Sequence, residues 1–155
     1  MEKGSEPFSS TFDASGASTM KYLGGCLCGA VRYASASDPT EAGYCHCRIC
    51  QRSTGAPVLV WASFPVSNFE YTNGNPAIYP SSDHGHREFC SSCGTQIAFR
   101  ESPDPKTVDV NVGSLDDPDR IAPTCHIWCR SKISWLEIAD ELTRYDEDAP
   151  NGNGT

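Results

Sequence analysis

Apolar and polar residues alternate along several short segments of the chain, and a period of two is typical of β-strands. The clearest segment runs from Thr107 to Val112, where valine occupies every second position. A continuous apolar run at Val58–Trp61 is typical of a strand buried on both faces. Shorter alternations occur at Val31–Tyr33, Phe69–Tyr71 and Ile97–Phe99.

Turn-forming residues separate these segments. The run Asn73-Gly74-Asn75-Pro76 breaks the chain after Phe69–Tyr71 and predicts that Ala77–Tyr79 returns as a hairpin partner. Helical periodicity is weak and indicates short helices only at Ser114–Asp117 and Trp135–Leu142. Many short strands between turns predict a mainly β domain with few short helices, which could be a barrel or a sandwich.

The composition bounds the domain and excludes some functions. The chain has 155 residues, which suits one domain, and its 12 basic and 20 acidic residues give a net charge of −8. Such an acidic chain is a poor candidate for binding a nucleic-acid backbone. No apolar run reaches the ~18 residues that a membrane span needs, and the first residues contain no apolar leader. We therefore expect a cytoplasmic protein that does not enter a membrane.

The two ends of the chain differ from its centre. Residues 1–20 are rich in serine, glycine and acidic side chains, and residues 146–155 are acidic and polar. Segments of this kind have too few apolar groups to pack, so we interpret both as disordered. Residues 21–145 are then the single domain.

Nine cysteines are the most unusual feature of the sequence. Without a secretory leader a disulfide framework is not expected, and an odd count cannot be fully paired. Clustered cysteines then indicate a metal, and close pairs on tight turns suit zinc, which binds thiolates at about 2.3 Å. Seven of the nine lie in three clusters: Cys26 and Cys28; Cys45, Cys47 and Cys50; and Cys90 and Cys93.

Seven ligands divide into a site of four and a site of three. A zinc ion with four thiolates is structural, whereas one with three keeps a position open for a substrate. Pairing Cys26 and Cys28 with Cys90 and Cys93 gives the closed site and leaves the middle cluster open. The spacing also allows the middle cluster to share a metal with either neighbour. A third interpretation is one zinc held by four cysteines, with the others as core thiols.

Taken together, the cysteine segments resemble the glutathione-dependent formaldehyde-activating enzyme family, which is also named for centromere protein V. The segments that carry the resemblance are Gly25–Tyr33, Cys45–Arg52 and Phe89–Thr95. The segment His126–Trp128, followed by Ser131, Lys132 and Trp135, is similar to the C-terminal signature of the family. The resemblance extends from about Tyr22 to Ile138 and implies a mainly β, tent-like fold of small antiparallel sheets held by zinc.

The resemblance also implies two zinc ions with different roles. A structural zinc falls at Cys26, Cys28, Cys90 and Cys93, and a catalytic zinc at Cys45, Cys47 and Cys50. The implied activity is that of a carbon–sulfur lyase, which joins glutathione to formaldehyde or a related electrophile and forms S-hydroxymethylglutathione. Glutathione is then the co-substrate, and a small-molecule thiol is the expected partner. The alternative from another class is a non-catalytic zinc module that binds a protein.

Basic residues near the open zinc are candidates for receiving an anionic thiol such as glutathione. Arg48 and Arg52 flank the middle cluster, and Lys132 is a candidate through the resemblance. Both arginines have the alternative of being ordinary solvated surface residues.

Histidines and the two remaining cysteines keep several interpretations. His46 could be a fourth ligand, a proton carrier or an exposed loop residue. His84 and His86 lie in a loop that could reach the site. Cys125 and Cys129 could be a redox pair, could supply a fourth ligand, or could be buried as small core residues.

Overall fold

The structure is a computed structural model and describes residues 19–150. Strands dominate this range, which confirms the expected mainly β class, and the one α-helix within it is α1, Arg48–Thr54. The strands are β1 Tyr22–Gly25, β2 Arg32–Ser35, β3 Glu41–Cys45, β4 Leu59–Pro65, β5 Phe69–Asn73, β6 Ala77–Ser82, β7 Gly85–Phe89, β8 Gln96–Glu101, β9 Thr107–Asn111, β10 Cys125–Ile127 and β11 Thr143–Arg144.

The strands form two sheets. The smaller is antiparallel with the order β1-β2-β5, and the larger has eight strands in the order β11-β10-β3-β4-β9-β8-β7-β6. Strands β3, β4 and β6 to β9 pair antiparallel within the larger sheet, whereas β10 runs parallel to both β3 and β11. The late strand β10 therefore brings the C-terminal part of the chain beside β3.

The core lies between the two sheets. The smaller sheet contributes Tyr33 and Phe69, whose rings stack with centroids 5.3 Å apart. The larger sheet contributes Phe64, Ile97 and Val110, none of which is exposed to solvent. Because strand side chains alternate between faces, every second side chain of the larger sheet points away from this core.

The hairpin expected after Tyr71 does not form. Strand β5 pairs with β2 in the smaller sheet, and β6 pairs with β7 in the larger one. The turn between them crosses from one sheet to the other, with Gly74 at a φ of 63°. A Cβ on Gly74 would lie 2.1 Å from the carbonyl oxygen of Ala30, so the backbones touch there. The turn residues were recognised correctly, but they mark a change of sheet.

The helical expectations were also wrong in place. Ser114 ends the 3-10 helix Val112–Ser114, residues 115–117 separate it from the 3-10 helix Pro118–Arg120, and no helix forms within residues 135–142. Residues 1–18 and 151–155, which include most of the first segment expected to be disordered and half of the second, lie outside the described residues. Residues 146–150 are described and hydrogen-bond to the fold, as detailed below. None of the helices within residues 19–150 is long and apolar enough to cross a membrane.

Candidate metal centres and the adjoining cavity

Four cysteines meet where the two sheets approach each other. The turn between β1 and β2 carries Cys26 and Cys28, and the turn between β7 and β8 carries Cys90 and Cys93. All four sulfur atoms lie within 4.8 Å of one another, with Cys28 Sγ 3.5 Å from Cys26 Sγ and 3.8 Å from Cys90 Sγ. A tetrahedron of sulfurs around zinc, at about 2.3 Å from the metal, has edges of about 3.8 Å. The donor set therefore fits a closed zinc site.

Two glycines shape the turns that present these sulfurs. Gly29 and Gly94 have φ of 77° and 76°, and their amides donate to the carbonyls of Cys26 and Cys90 at 3.1 and 2.8 Å. A Cβ at either position would meet nothing within 4 Å, so glycine is needed for the dihedral angle rather than for space. The amide of Val31 also donates to Cys26 Sγ at 3.2 Å, which stabilises a thiolate there.

The middle cluster forms at the junction of β3 and α1. Cys45 ends β3, Cys47 is the N-cap of α1, and Cys50 lies in its first turn. The amide of Cys50 donates to Cys47 Sγ at 3.2 Å, so a sulfur does the capping that serine or aspartate usually does. Gly55 ends the helix at a φ of 70°. The three sulfurs lie within 4.8 Å of one another, and this group contains no histidine.

Crowding of the three thiols changes their acidity. Hydrogen bonds from Cys45 and Cys50 lower the pKa of Cys47 to about 2, whereas bonding to the Cys47 sulfur and burial raise the pKa of Cys45. The thiol of Cys47 therefore ionises easily, and the thiol of Cys45 resists ionisation because a second negative charge would be repelled by the first. A divalent cation would remove that repulsion, so the three-thiol set fits a metal as the four-thiol set does.

A buried arginine faces the middle cluster from β7. Arg87 is 7% exposed, and its Nη2 donates to Cys50 Sγ at 3.5 Å. Its Nε has no hydrogen-bond partner within residues 19–150, and no carboxylate of that range forms an ion pair with it. A buried cation without a carboxylate partner is costly unless anions are nearby. The thiolates of the middle cluster are such anions.

The middle cluster opens into a cavity of about 530 Å³. Its floor is the face of the larger sheet that points away from the core, because the alternate residues of β4 and β9, such as Ala62 and Val110, are buried in the core. Its walls are largely aromatic and aliphatic. The lining includes Cys45, Cys47, Cys50, Leu59, Trp61, Arg87, Phe99, Asp109, Asn111, Ile127 and Trp128. The four-cysteine cluster contributes nothing to this lining.

The last described residues close one side of the cavity. Trp128 Nε1 donates to Asp148 Oδ1 at 2.6 Å, and the amide of Trp128 donates to the carbonyl of Glu147 at 3.0 Å. Tyr145 and Ala149 line the cavity from this segment. Residues 146–150, for which the composition predicts disorder, thus form part of a wall.

The three predicted substrate-binding cations lie in different places. Arg48 lines the cavity and donates to Gln51 Oε1. Arg52 is exposed and is not part of the lining. Lys132 donates to the carbonyls of Ile133 and Leu136 and lines a smaller recess, away from the cavity lining.

His46 is fully buried and points away from the cavity. Its Nε2 lies 2.9 Å from Nδ1 of His126, whose Nε2 lies 3.0 Å from a carboxylate oxygen of Asp140. The two imidazole rings stack with centroids 5.2 Å apart. Burial lowers the pKa of His46 to about 4, so the ring is neutral near pH 7. The geometry makes this pair a link between β3 and β10.

The other candidates are less central. His84 and His86 do not line the cavity, and His86 Nδ1 lies 3.2 Å from Ser102 Oγ. Cys125 lines the cavity and packs against Gly43, while Cys129 begins a 3-10 helix outside the lining. Burial raises the pKa of both thiols.

Sequence reasoning missed Arg87 and Asp109 as site residues. Asp109 alternates with the core residues Val108 and Val110, so the pattern indicates only that it lies on the side away from the core, whereas Arg87 lies between two polar residues and has no such pattern. The signal that was available is chemical, since Asp109 and Asn111 put a charge and an amide on one side of a valine strand. Whether such a side faces water or a cavity depends on which other segments cover the sheet. A local sequence pattern carries no information about those segments.

Comparisons with known proteins show which family the chain resembles and over which residues. The profile of the family described as glutathione-dependent formaldehyde-activating enzyme matches residues 21–131, a range that includes all seven clustered cysteines. An uncharacterised lyase of Schizosaccharomyces pombe is 31% identical over 135 residues, covering 83% of this chain and 93% of that protein. A Halomonas elongata protein, provisionally named as a glutathione-dependent formaldehyde-activating enzyme, is 30% identical over 129 residues, covering 74% and 79%. A solved Rhodobacter sphaeroides structure aligns with a TM-score of 0.48 at 20% identity, covering 79% of this chain and 98% of that one.

Proposed function

This chain belongs to the glutathione-dependent formaldehyde-activating enzyme family, and from that premise we propose that it is a zinc-dependent enzyme of the carbon–sulfur lyase type. It binds a thiol, glutathione foremost, and adds the sulfur to formaldehyde or a related small electrophile. The observation that carries the proposal is the unequal placement of the two cysteine clusters. The three-sulfur cluster opens into the cavity, whereas the four-sulfur cluster lies outside its lining.

Zinc bound at Cys45, Cys47 and Cys50 supplies an open position for the substrate sulfur and lowers the pKa of that thiol. The second zinc, at Cys26, Cys28, Cys90 and Cys93, has a structural role. This division matches the donor count of each cluster, since four thiolates complete a tetrahedron and three do not.

The residues around the open cluster suit an anionic thiol. Three thiolates create a local excess of negative charge, and the buried guanidinium of Arg87 offsets part of it. Arg48 lines the cavity and is exposed, and in this proposal it pairs with a carboxylate of the substrate. Both arginines matter because the chain as a whole carries a charge of −8 and repels an anion at long range.

The cavity walls control water and leave donors for the substrate. Trp61, Phe99 and Trp128 surround the space with aromatic surface, and a drier site strengthens charge interactions. Within the described residues, the buried indole N–H of Trp61 and Nε of Arg87 have no hydrogen-bond partner. Buried donors are normally satisfied, so these two are available to substrate oxygens.

Native mass spectrometry with and without glutathione tests this proposal. The wild type should carry two zinc ions and bind the thiol, and Cys47→Ser should lose one zinc together with thiol binding. The matched control is Cys129→Ser, which makes the same substitution outside the clusters and the cavity lining, and should keep both zinc ions and the thiol.

The activity itself needs a separate measurement. Formation of S-hydroxymethylglutathione by the wild type should exceed the spontaneous rate at equal concentrations of glutathione and formaldehyde. A spontaneous rate together with absent thiol binding contradicts the proposal and favours a non-catalytic zinc-binding module. Thiol binding without formaldehyde addition contradicts only the choice of electrophile.

A further inference from the structure

Asp109 occupies the middle of the cavity floor. A row of directly paired residues crosses the larger sheet from β3 to β7, with Asp109 between Ser63 of β4 and Phe99 of β8. The complete row is Glu41, Ser63, Asp109, Phe99 and Arg87, and every member lines the cavity. The carboxyl group therefore lies on the same surface as the middle cysteine cluster.

The carboxyl of Asp109 is poorly solvated and only partly paired. The Oγ of Ser63 donates to its Oδ1, and no lysine, arginine or histidine within residues 19–150 forms an ion pair with it. Burial, with repulsion by Glu101 and Glu41, raises the pKa of Asp109 to about 6, although Ser63 and Arg87 act in the opposite direction. The group can thus exchange a proton near neutral pH, as a general acid or base must.

Adding a thiol to an aldehyde requires one proton to change place. The incoming thiol loses the proton of its S–H bond, the sulfur electron pair forms the C–S bond, and the carbonyl π pair becomes an alkoxide. The alkoxide then takes up a proton to form the hydroxyl group. The sum is thiol plus aldehyde giving hydroxymethyl thioether, and no oxidant or reductant is required.

We propose that Asp109 carries this proton: its carboxylate accepts it from the substrate thiol and returns it to the alkoxide oxygen. The inference rests on the proposed function, since it assigns a catalytic role within the same cavity. Other carboxyl groups there are less suitable. Asp148 already accepts the indole N–H of Trp128, and Glu41 lies at the end of the row, two strands from Asp109.

A calorimetric measurement tests proton acceptance without turnover. Glutathione is titrated into the zinc-loaded protein in two buffers that differ in ionisation enthalpy, which counts the protons released on binding. If Asp109 keeps the thiol proton, the wild type releases fewer protons than Asp109→Asn, at an unchanged zinc content. Equal proton release by the two proteins overturns the inference. If the wild type does not bind glutathione at all, the result counts against the proposed function instead.

The pH profile of turnover gives an independent test, with two variants that should shift the profile in opposite directions. In the wild type kcat/KM should rise with pH through an acid limb near 6, because the carboxylate is the form that accepts the proton. Ser63→Ala removes a hydrogen bond that favours the carboxylate, so the limb should move to higher pH. Glu101→Gln removes a repelling charge from outside the cavity lining, so the limb should move to lower pH.

Asp109→Asn should lose the limb together with most of the rate, roughly 10²–10⁴-fold, as for other general acids and bases. Loss of zinc at low pH would produce a limb common to every variant, so the opposite shifts distinguish the two causes. A limb that stays in place in Ser63→Ala and Glu101→Gln overturns the inference. An active Asp109→Asn with the wild-type profile also does so, and leaves the proposed function intact.

Discussion

The partly buried carboxyl of Asp109 should make the fold less stable above pH 6 than it would be without the charge. The pKa of this group is raised from 3.8 to about 6, chiefly by burial. The folded state therefore binds the proton more tightly than the unfolded state, and this contribution to stability is fully present below pH 4. It is lost as the pH rises from about 4 through 6, where the folded carboxyl ionises.

The magnitude follows from the size of the shift. About two pKa units at roughly 1.4 kcal/mol each correspond to about 3 kcal/mol between pH 4 and pH 8. Asp109→Asn retains an oxygen that can accept from Ser63 Oγ and carries no charge, so it removes the pH-dependent part alone. The variant should gain up to about 3 kcal/mol over the wild type on going from pH 4 to pH 8.

Urea unfolding of the two proteins at several pH values measures this difference. Effects common to both proteins, including metal loss in acid, largely cancel when the free energies of unfolding are subtracted. Asp119→Asn, which neutralises an exposed carboxyl, is the matched control for the loss of one negative charge. A difference between wild type and Asp109→Asn that is constant with pH would refute the reasoning. A gain in stability combined with a loss of turnover would show a charge retained for function at the expense of the fold.

Three further predictions concern the fold. Cys90→Ser should release the zinc proposed at the four-cysteine cluster and so open a loop of more than 60 residues, whose closure is worth about 4 kcal/mol and whose loss should lower Tm by on the order of 10 °C. Release of the zinc proposed at the middle cluster in Cys47→Ser opens a much shorter loop and should lower Tm less, and equal losses would contradict this. Gly29→Ala should cost about 1–2 kcal/mol in chemical unfolding because its φ is 77°, whereas Gly113→Ala, with equally open space and no positive φ, should be neutral or slightly stabilising. Ile97→Val should cost about 0.5–1.5 kcal/mol in urea with an unchanged m value, and a smaller loss would mean that this fully buried side chain is loosely packed.

The class of the fold could be read from the sequence because alternation is a local property. The valines at 108 and 110 specify a strand with one buried side, and the structure confirms that strand as β9. The pairing of strands is not local, and this is why the expected hairpin after Tyr71 was wrong. The turn at Gly74 has the right residues for a reversal, but contact with Ala30 and the two sheets decide its direction.

The cysteine clusters were predictable for a different reason. Sulfur ligands on tight turns are chemically distinctive, so the three clusters could be recognised before any contact was known. Counting ligands left the pairing of Cys26 and Cys28 with Cys90 and Cys93 as one of several alternatives, which the family resemblance favoured and the structure brings together. The short helix α1 was missed because a cysteine, not serine or aspartate, caps it. Arg87 and Asp109 were missed because their meaning depends on a cavity that several distant segments create together.

The parallel pairing of β10 with β3 has a consequence for how the chain is made. His126 pairs with Tyr44, so the strand that covers this edge of β3 emerges from the ribosome long after β3 and its other neighbour, β4. Until then β3 has a free edge next to three reactive thiols, while the hairpins from β6 to β9 can already form from neighbouring segments. A nascent chain halted before Cys125 would expose that edge to other chains. Synthesis that pauses in this interval should therefore favour aggregation and thiol oxidation, and early metal capture by Cys45, Cys47 and Cys50 would protect the growing chain.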